Sequence, residues 1–138
     1  METSGIHCIA ELYDCPKHLL NDEVYIQQSI RDAVKQGMAT LLHEVSHSFH
    51  PQGVTALALI AESHVAIHTW PEYGYAAADV FTCGDRASAI RACEHLIQSM
   101  KAGRHTMRKL ERGMAINGSV DSPNSLSESM AVMAGAAG

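Results

Sequence analysis

From residue 5 to residue 13 apolar and polar positions alternate. Ile6, Cys8, Ala10 and Leu12 share one side of an extended chain and His7, Ile9 and Glu11 the other, which predicts a half-buried strand. Pro16 breaks that run. From Asn21-Asp22, both suited to an N-cap, Ile26, Ile30, Ala33 and Val34 recur at helical spacing, and Gly37 offers a left-handed stop. Residues 39–49 and 53–60 read as two strands, joined at His50-Pro51-Gln52 in a hairpin. Residues 63–69 set Val65, Ile67 and Thr69 against His64, Ala66 and His68, another half-buried strand. A turn at 70–74 and a strand over 75–81 follow. Asp85 then caps a second amphipathic helix, with Ala87, Ile90, Cys93, Ile97 and Met100 facing inward and Gly103 ending it. Residues 105–110 are expected as an edge strand.

These elements predict an α+β two-layer sandwich, an antiparallel sheet with two helices on one face. The other face is left uncovered, and a second copy of the chain is the simplest cover, so a homodimer is expected. The 138 residues allow one domain, assigned to 1–116. Residues 117–138 are rich in Ser, Ala, Gly and Met with few large aliphatic side chains, and are expected to form a flexible tail.

Charge narrows the function classes. The net charge is −5 and no basic block stands out, which argues against nucleic acid as a partner. No apolar run approaches a membrane span and the first residues lack the features of a signal peptide, so a cytosolic protein is expected. Cys8, Cys15, Cys83 and Cys93 show no CxxC spacing and read as three packing thiols and one candidate reactive thiol.

The densest chemistry lies in Glu62-Ser63-His64-Val65-Ala66-Ile67-His68-Thr69-Trp70-Pro71-Glu72, followed by Phe81-Thr82-Cys83-Gly84. A hydroxyl, an imidazole and a thiol come from one strand and the next, although taken singly Ser63 and His68 suit a half-exposed sheet and Cys83 a packed thiol. A rival of another class is a non-enzymatic metal-binding dimer built on His43, His47 and His50 with His64 and His68 on an adjacent strand, since histidine is the commonest metal ligand. Residues 43 and 47 share a strand face whereas 47 and 50 do not, and no Cys or carboxylate completes the set, so no metal is expected. A second rival is a processed but inactive partner subunit, for which a retained His68 and Cys83 would have no use.

The block from Glu62 through Tyr75-Ala76-Ala77 to Cys83-Gly84, with Phe49-His50-Pro51-Gln52-Gly53-Val54 before it, resembles the bacterial and archaeal S-adenosylmethionine decarboxylase proenzymes, the short self-cleaving type. The similarity runs from about Gly5 to Gly113 and leaves the tail unmatched. The resemblance implies a two-layer sandwich whose two processed protomers carry active sites near their interface. It also implies that Ser63 attacks the carbonyl of Glu62, that His68 removes the α-proton of residue 63, and that residue 63 ends as a pyruvoyl cofactor on a chain 63–138 separated from 1–62. Thr55 stands where the family has a serine that assists the acyl shift; the hydroxyl is kept and the β-branch restricts it. Cys83 resembles the acid that returns a proton after carbon dioxide leaves, and Phe49 and Glu72 resemble the adenine-stacking ring and the ribose-binding carboxylate. Tyr13 is a candidate second aromatic wall, and Trp70 is read as core or interface. The substrate implied is S-adenosylmethionine, decarboxylated for polyamine synthesis, with arginine or ornithine as alternatives on the same scaffold.

Overall fold

The computed structural model describes residues 4–83, 85–114 and 129–134. β1 (Gly5–Tyr13) keeps the predicted alternation, with Ile6, Cys8, Ala10 and Leu12 buried. A single helical turn, α1 (Lys17–Leu20), follows; the sequence does not announce it, because four residues carry no period. α2 (Glu23–Gln36) starts at Asp22, whose carboxylate accepts the Tyr25 backbone N–H at 3.1 Å, and buries the expected stripe of Ile26, Ile30, Ala33 and Val34.

β2 (Thr40–Ser48) and β3 (Val54–Ala61) form the predicted hairpin, closed by the Phe49 N–H donating to the Gly53 carbonyl at 2.8 Å. Asn21, the other N-cap candidate, serves this hairpin instead: its side-chain oxygen accepts the Gly53 N–H at 3.0 Å. β4 (Ser63–Trp70) leads through a 3-10 turn at Pro71–Tyr73 into β5 (Tyr75–Cys83), which buries Ala76, Ala78, Val80 and Thr82 in strict alternation.

α3 (Arg86–Ser99) is capped by Asp85, which accepts the Ala87 N–H at 3.0 Å. Its buried face is Ala89, Ala92, Cys93, Leu96 and Ile97, with Met100 just beyond. Ala87 is exposed and Ile90 only partly buried, so the buried stripe is rotated slightly around the helix axis from the expected one. The expected glycine stops are also corrected. The left-handed residues after the two helices are Met38 (φ 55°) and Lys101 (φ 51°), while Gly37 has φ −80° and α3 ends at Ser99, before Gly103. Gly37 answers to packing: a Cβ there would lie 3.0 Å from the Ser88 carbonyl oxygen and 3.3 Å from Ala92, so its absence lets the two helices approach.

β6 (Arg104–Arg112) and β7 (Ser129–Ala134) complete a seven-stranded sheet in the order β2-β3-β4-β5-β1-β6-β7, antiparallel throughout. β6 is therefore not the edge strand expected over 105–110, because β7 covers it. Part of the tail that composition assigns to disorder thus pairs with β6 through the backbone ladder. Its remaining residues, 117–128 and 135–138, lie outside the described residues.

α2 and α3 pack together on one sheet face, as predicted, and the side chains between them and the sheet form one core. Each fully buried Ile, Leu or Val there contributes roughly 1.5–3 kcal/mol through removal from water. The opposite face carries Val45, Leu57, Leu59 and Trp70, each 41–55 % exposed, among histidines and aromatic rings.

Candidate functional site

The sheet has two chemically distinct ends. At one, Gly5 of β1, Ser63 of β4 and Cys83 of β5 come together. Ser63 begins its strand with φ 98°, a conformation that L-residues rarely adopt, so this backbone is held in strain where the sequence places its candidate nucleophile. Its Oγ lies 3.9 Å from the Cys83 sulfur. Cys83 is partly exposed, whereas Cys8, Cys15 and Cys93 are buried. Burial pushes the Cys8 and Cys15 thiols up to about 11 and that of Cys93 higher still, which disfavours a thiolate at all three. Gly5 is dictated by this end: a Cβ would meet the Thr82 carbonyl oxygen at 2.8 Å and the Phe81 ring at 3.2 Å.

Thr82 lies directly across the β4–β5 ladder from Ser63 and is 9 % exposed. Its hydroxyl has no hydrogen-bond partner among the described residues. A buried hydroxyl left so costs about 1–3 kcal/mol. Thr82 stands in the Phe-Thr-Cys-Gly block, where its residue type alone does not single it out.

At the other end, Thr55 of β3 pairs with His68 of β4, and the Thr55 hydroxyl is 3.0 Å from His68 Nδ1. Trp70, Tyr75 and Tyr13 form an aromatic row across β4, β5 and β1, with centroids 5.3 and 5.6 Å apart, and the Arg104 guanidinium lies 4.5 Å over the Tyr13 ring. The Tyr75 hydroxyl donates to Glu11. Phe49, 50 % exposed on the hairpin and edge-on to His47 at 4.6 Å, is not core. Glu72 is exposed in the 3-10 turn beside this end. Thr55, His68, Phe49, Glu72 and Tyr13 are therefore gathered at one end, and Ser63 and Cys83 at the other. His68 stands five residues along β4 from Ser63, about 16 Å at the rise of a strand, so it does not reach the α-carbon of Ser63 within one chain.

Between the ends, on the open face, Asp79 Oδ2 accepts from His7 Nε2 at 2.9 Å and from His64 Nε2 at 2.7 Å. Arg112 Nη1 lies 3.4 Å from His7 Nδ1 and its guanidinium 4.5 Å over the Phe81 ring, which leaves the Nε2 proton of His7 for Asp79. The ligand-type atoms of His7, His64 and Asp79 lie within 4.8 Å of one another, the carboxylate hydrogen-bonded to both rings. The histidines of the rival metal reading are not brought together: His43 and His64 flank Leu59 on either side of β3, and His47 and His68 flank Thr55. His7 and Asp79 carry no signal in the sequence, because pairing register is invisible in one chain's residues.

Burial pushes the Asp79 carboxyl up, but the two imidazole hydrogen bonds outweigh it and hold the group below its ordinary value. The folded value is depressed, so the stabilisation is present above the ordinary value near 3.9 and lost as pH falls through the folded one. Asp79→Asn should lower the melting temperature at pH about 6, and the gap to wild type should narrow as the pH is lowered to about 3. A constant gap across that range would show that Asp79 acts by shape alone.

Three comparisons bear on this arrangement. The S-adenosylmethionine decarboxylase family profile matches residues 6–113. A chain from a Synechococcus strain named S-adenosylmethionine decarboxylase proenzyme is 56% identical over 108 residues, covering 78% of this chain and 84% of that one. One of the same name from Caldicellulosiruptor saccharolyticus is 42% identical over 114 residues, covering 83% and 92%. The crystal structure of the adenosylmethionine decarboxylase from Aquifex aeolicus superposes with a TM-score of 0.80 at 35% identity, covering 86% of this chain and 98% of that one. Among the described residues no helix is long and apolar enough to cross a membrane. The strained serine beside a thiol therefore sits within the span matched by these proenzymes, and the chain belongs to the S-adenosylmethionine decarboxylase family.

Proposed function

We propose that the chain cuts itself between Glu62 and Ser63 and then decarboxylates S-adenosylmethionine, with a pyruvoyl group derived from Ser63. The observation that carries this reading is Ser63 itself, held at φ 98° with its hydroxyl beside Cys83 within the family span. Ser63 fits the group it would become, because the hydroxyl, the preceding carbonyl and a strained backbone are all in place. Ser63 Oγ adds to the Glu62 carbonyl carbon, the C–N bond breaks, and the hydroxyl proton passes to the freed nitrogen, leaving an ester. A base then removes the α-proton of residue 63, the Glu62 carboxylate leaves, and water replaces the nitrogen, which departs as ammonia.

The pyruvoyl group supplies a ketone for the substrate amine and an adjoining carbonyl that accepts electrons as carbon dioxide leaves. Cys83 returns the proton to the substrate α-carbon. Phe49 and Tyr13 offer ring faces to adenine and to the sulfonium, an attraction of roughly 0.5–2 kcal/mol, and Glu72 accepts the ribose hydroxyls. These groups share the end that also holds His68, which favours a nucleoside-bearing substrate over arginine or ornithine.

His68 and Thr55 serve the reaction through a second copy. Two sheets packed open face to open face about an axis crossing the strands set the Ser63–Cys83 end of one copy against the Thr55–His68 end of the other. The same packing covers the exposed Leu57, Leu59, Val45 and Trp70.

Intact mass after incubation, together with carbon dioxide release from S-adenosylmethionine, ornithine and arginine supplied separately, tests the proposal. Two chains and release from S-adenosylmethionine alone support it; release from one of the amino acids instead would replace the substrate, and a single inert chain would remove the activity. Cys83→Ala is expected to cleave and yet turn over about 10²–10⁴-fold more slowly, the usual worth of a positioned acid. Full turnover in that variant would strip Cys83 of its role.

A further inference from the structure

We propose that Thr82 is a catalytic residue of the self-cleavage, its hydroxyl donating a hydrogen bond to the oxygen of the Glu62 carbonyl as Ser63 Oγ adds to that carbon. The proposal rests on the self-cleavage reading above.

Thr82 and Ser63 are directly opposed on antiparallel strands, which places Thr82 beside the start of β4, where the 62–63 peptide enters the sheet. In a regular strand Ser63 would extend its side chain on the same face as Thr82, where two hydroxyls commonly bond across the ladder. The positive φ of Ser63 turns its Oγ towards Cys83 instead. Thr82 is left without that partner, and its neighbour on the other side is Ile6, 4 % exposed and without a side-chain acceptor. The hydroxyl is thus buried, shielded from water and unpaired beside the bond to be broken.

Such a donor contributes little to the resting chain and most when negative charge gathers on a nearby oxygen. An interaction made only in the transition state lowers the barrier by its full worth. The adding serine puts that charge on the former Glu62 carbonyl oxygen. Thr82 keeps its own proton throughout, since the proton of Ser63 Oγ is the one that moves to nitrogen. The threonine donates, accepts nothing, and is ready again once the ester carbonyl reforms.

The test follows full-length chains made by cell-free translation, sampled for intact mass over time with and without hydroxylamine, which cuts an ester but not a peptide bond. Wild type must first split at 62–63; if it does not, the self-cleavage reading itself fails, independently of Thr82. Thr82→Val keeps the shape and removes the donor, and is expected to slow cleavage by about 10²–10³-fold, the cost of one lost oxyanion donor. Thr82→Ser is expected to restore most of the rate. The slow valine variant should show no hydroxylamine-labile ester, because it stalls before the ester forms. Its melting temperature should equal or exceed that of the uncleaved Ser63→Ala chain, since valine removes an unpaired buried hydroxyl. Cleavage of Thr82→Val at the wild-type rate would overturn the proposal. So would an accumulated ester, which places the hydroxyl after the acyl shift, and so would a lowered melting temperature without rescue by serine, which makes the effect one of packing.

Discussion

Ser63→Ala is expected to leave one chain of about 14.9 kDa, uncut however long it is incubated, where the wild type gives fragments 1–62 and 63–138. Alanine removes the attacking oxygen and nothing else in the cluster, so the loss of cleavage should be complete. Turnover should vanish with it, because the ketone is made from the side chain deleted. The fold should survive: Ser63 opens β4 at its end, and its side chain makes a 3.9 Å contact with Cys83 rather than a core contact. A melting temperature close to that of uncleaved wild type would confirm that the variant fails in chemistry and not in folding. Two fragments from Ser63→Ala would mean that another group attacks. Ser63→Cys is the informative companion, since a thiol can make the corresponding thioester; partial cleavage there would tie the rate to the nucleophile itself.

Much of this architecture is legible in the sequence because strands and helices with one buried face write their period into the apolar positions. β1, α2, β4 and β5 fall where the alternation of Ile6 to Leu12, the spacing of Ile26 to Val34, and the runs 63–69 and 75–81 place them. What fails is instructive. The helix stops go to Met38 and Lys101, because a left-handed residue at a helix end is set by the chain's exit and costs little enough that a non-glycine tolerates it. β7 lies in a stretch whose Ser, Ala, Gly and Met composition predicts no strand, yet it pairs with the edge of β6. The site divides in the same way. Ser63, Cys83, Thr55 and His68 are picked out by the resemblance of the blocks that carry them, but the separation of Ser63 and Cys83 from Thr55 and His68 depends on the direction of β4, and local spacing along one strand hides about 16 Å of rise. His7, Asp79 and Thr82 depend on register, which only the folded sheet supplies.

That separation gives the second prediction. His68→Ala alone should remain largely uncleaved and Ser63→Ala wholly so, because each lacks a group that the self-cleavage needs. In a mixed dimer the two defects fall together. One composite site takes residue 63 from the Ser63→Ala chain and residue 68 from the His68→Ala chain and is doubly dead. The other takes Ser63 from the His68→Ala chain and His68 from the Ser63→Ala chain, and is intact. Co-expression should therefore cut the His68→Ala chain and only that chain, which intact mass distinguishes because the two substitutions lie in the same fragment, 63–138, and change its mass differently. About half of randomly paired dimers are mixed, so about half of the His68→Ala chains should be cut. If His68 instead reached Ser63 in its own chain, no pairing would help and both chains would stay whole. The sheet geometry opposes the intrachain route: five residues of extended backbone cannot fold back within β4 while Thr55 holds His68 at 3.0 Å and the β3–β4 and β4–β5 ladders fix both ends. An uncut His68→Ala chain in verified mixed dimers would break the composite site, and with it the reason for the open, apolar face to seek a second copy of itself.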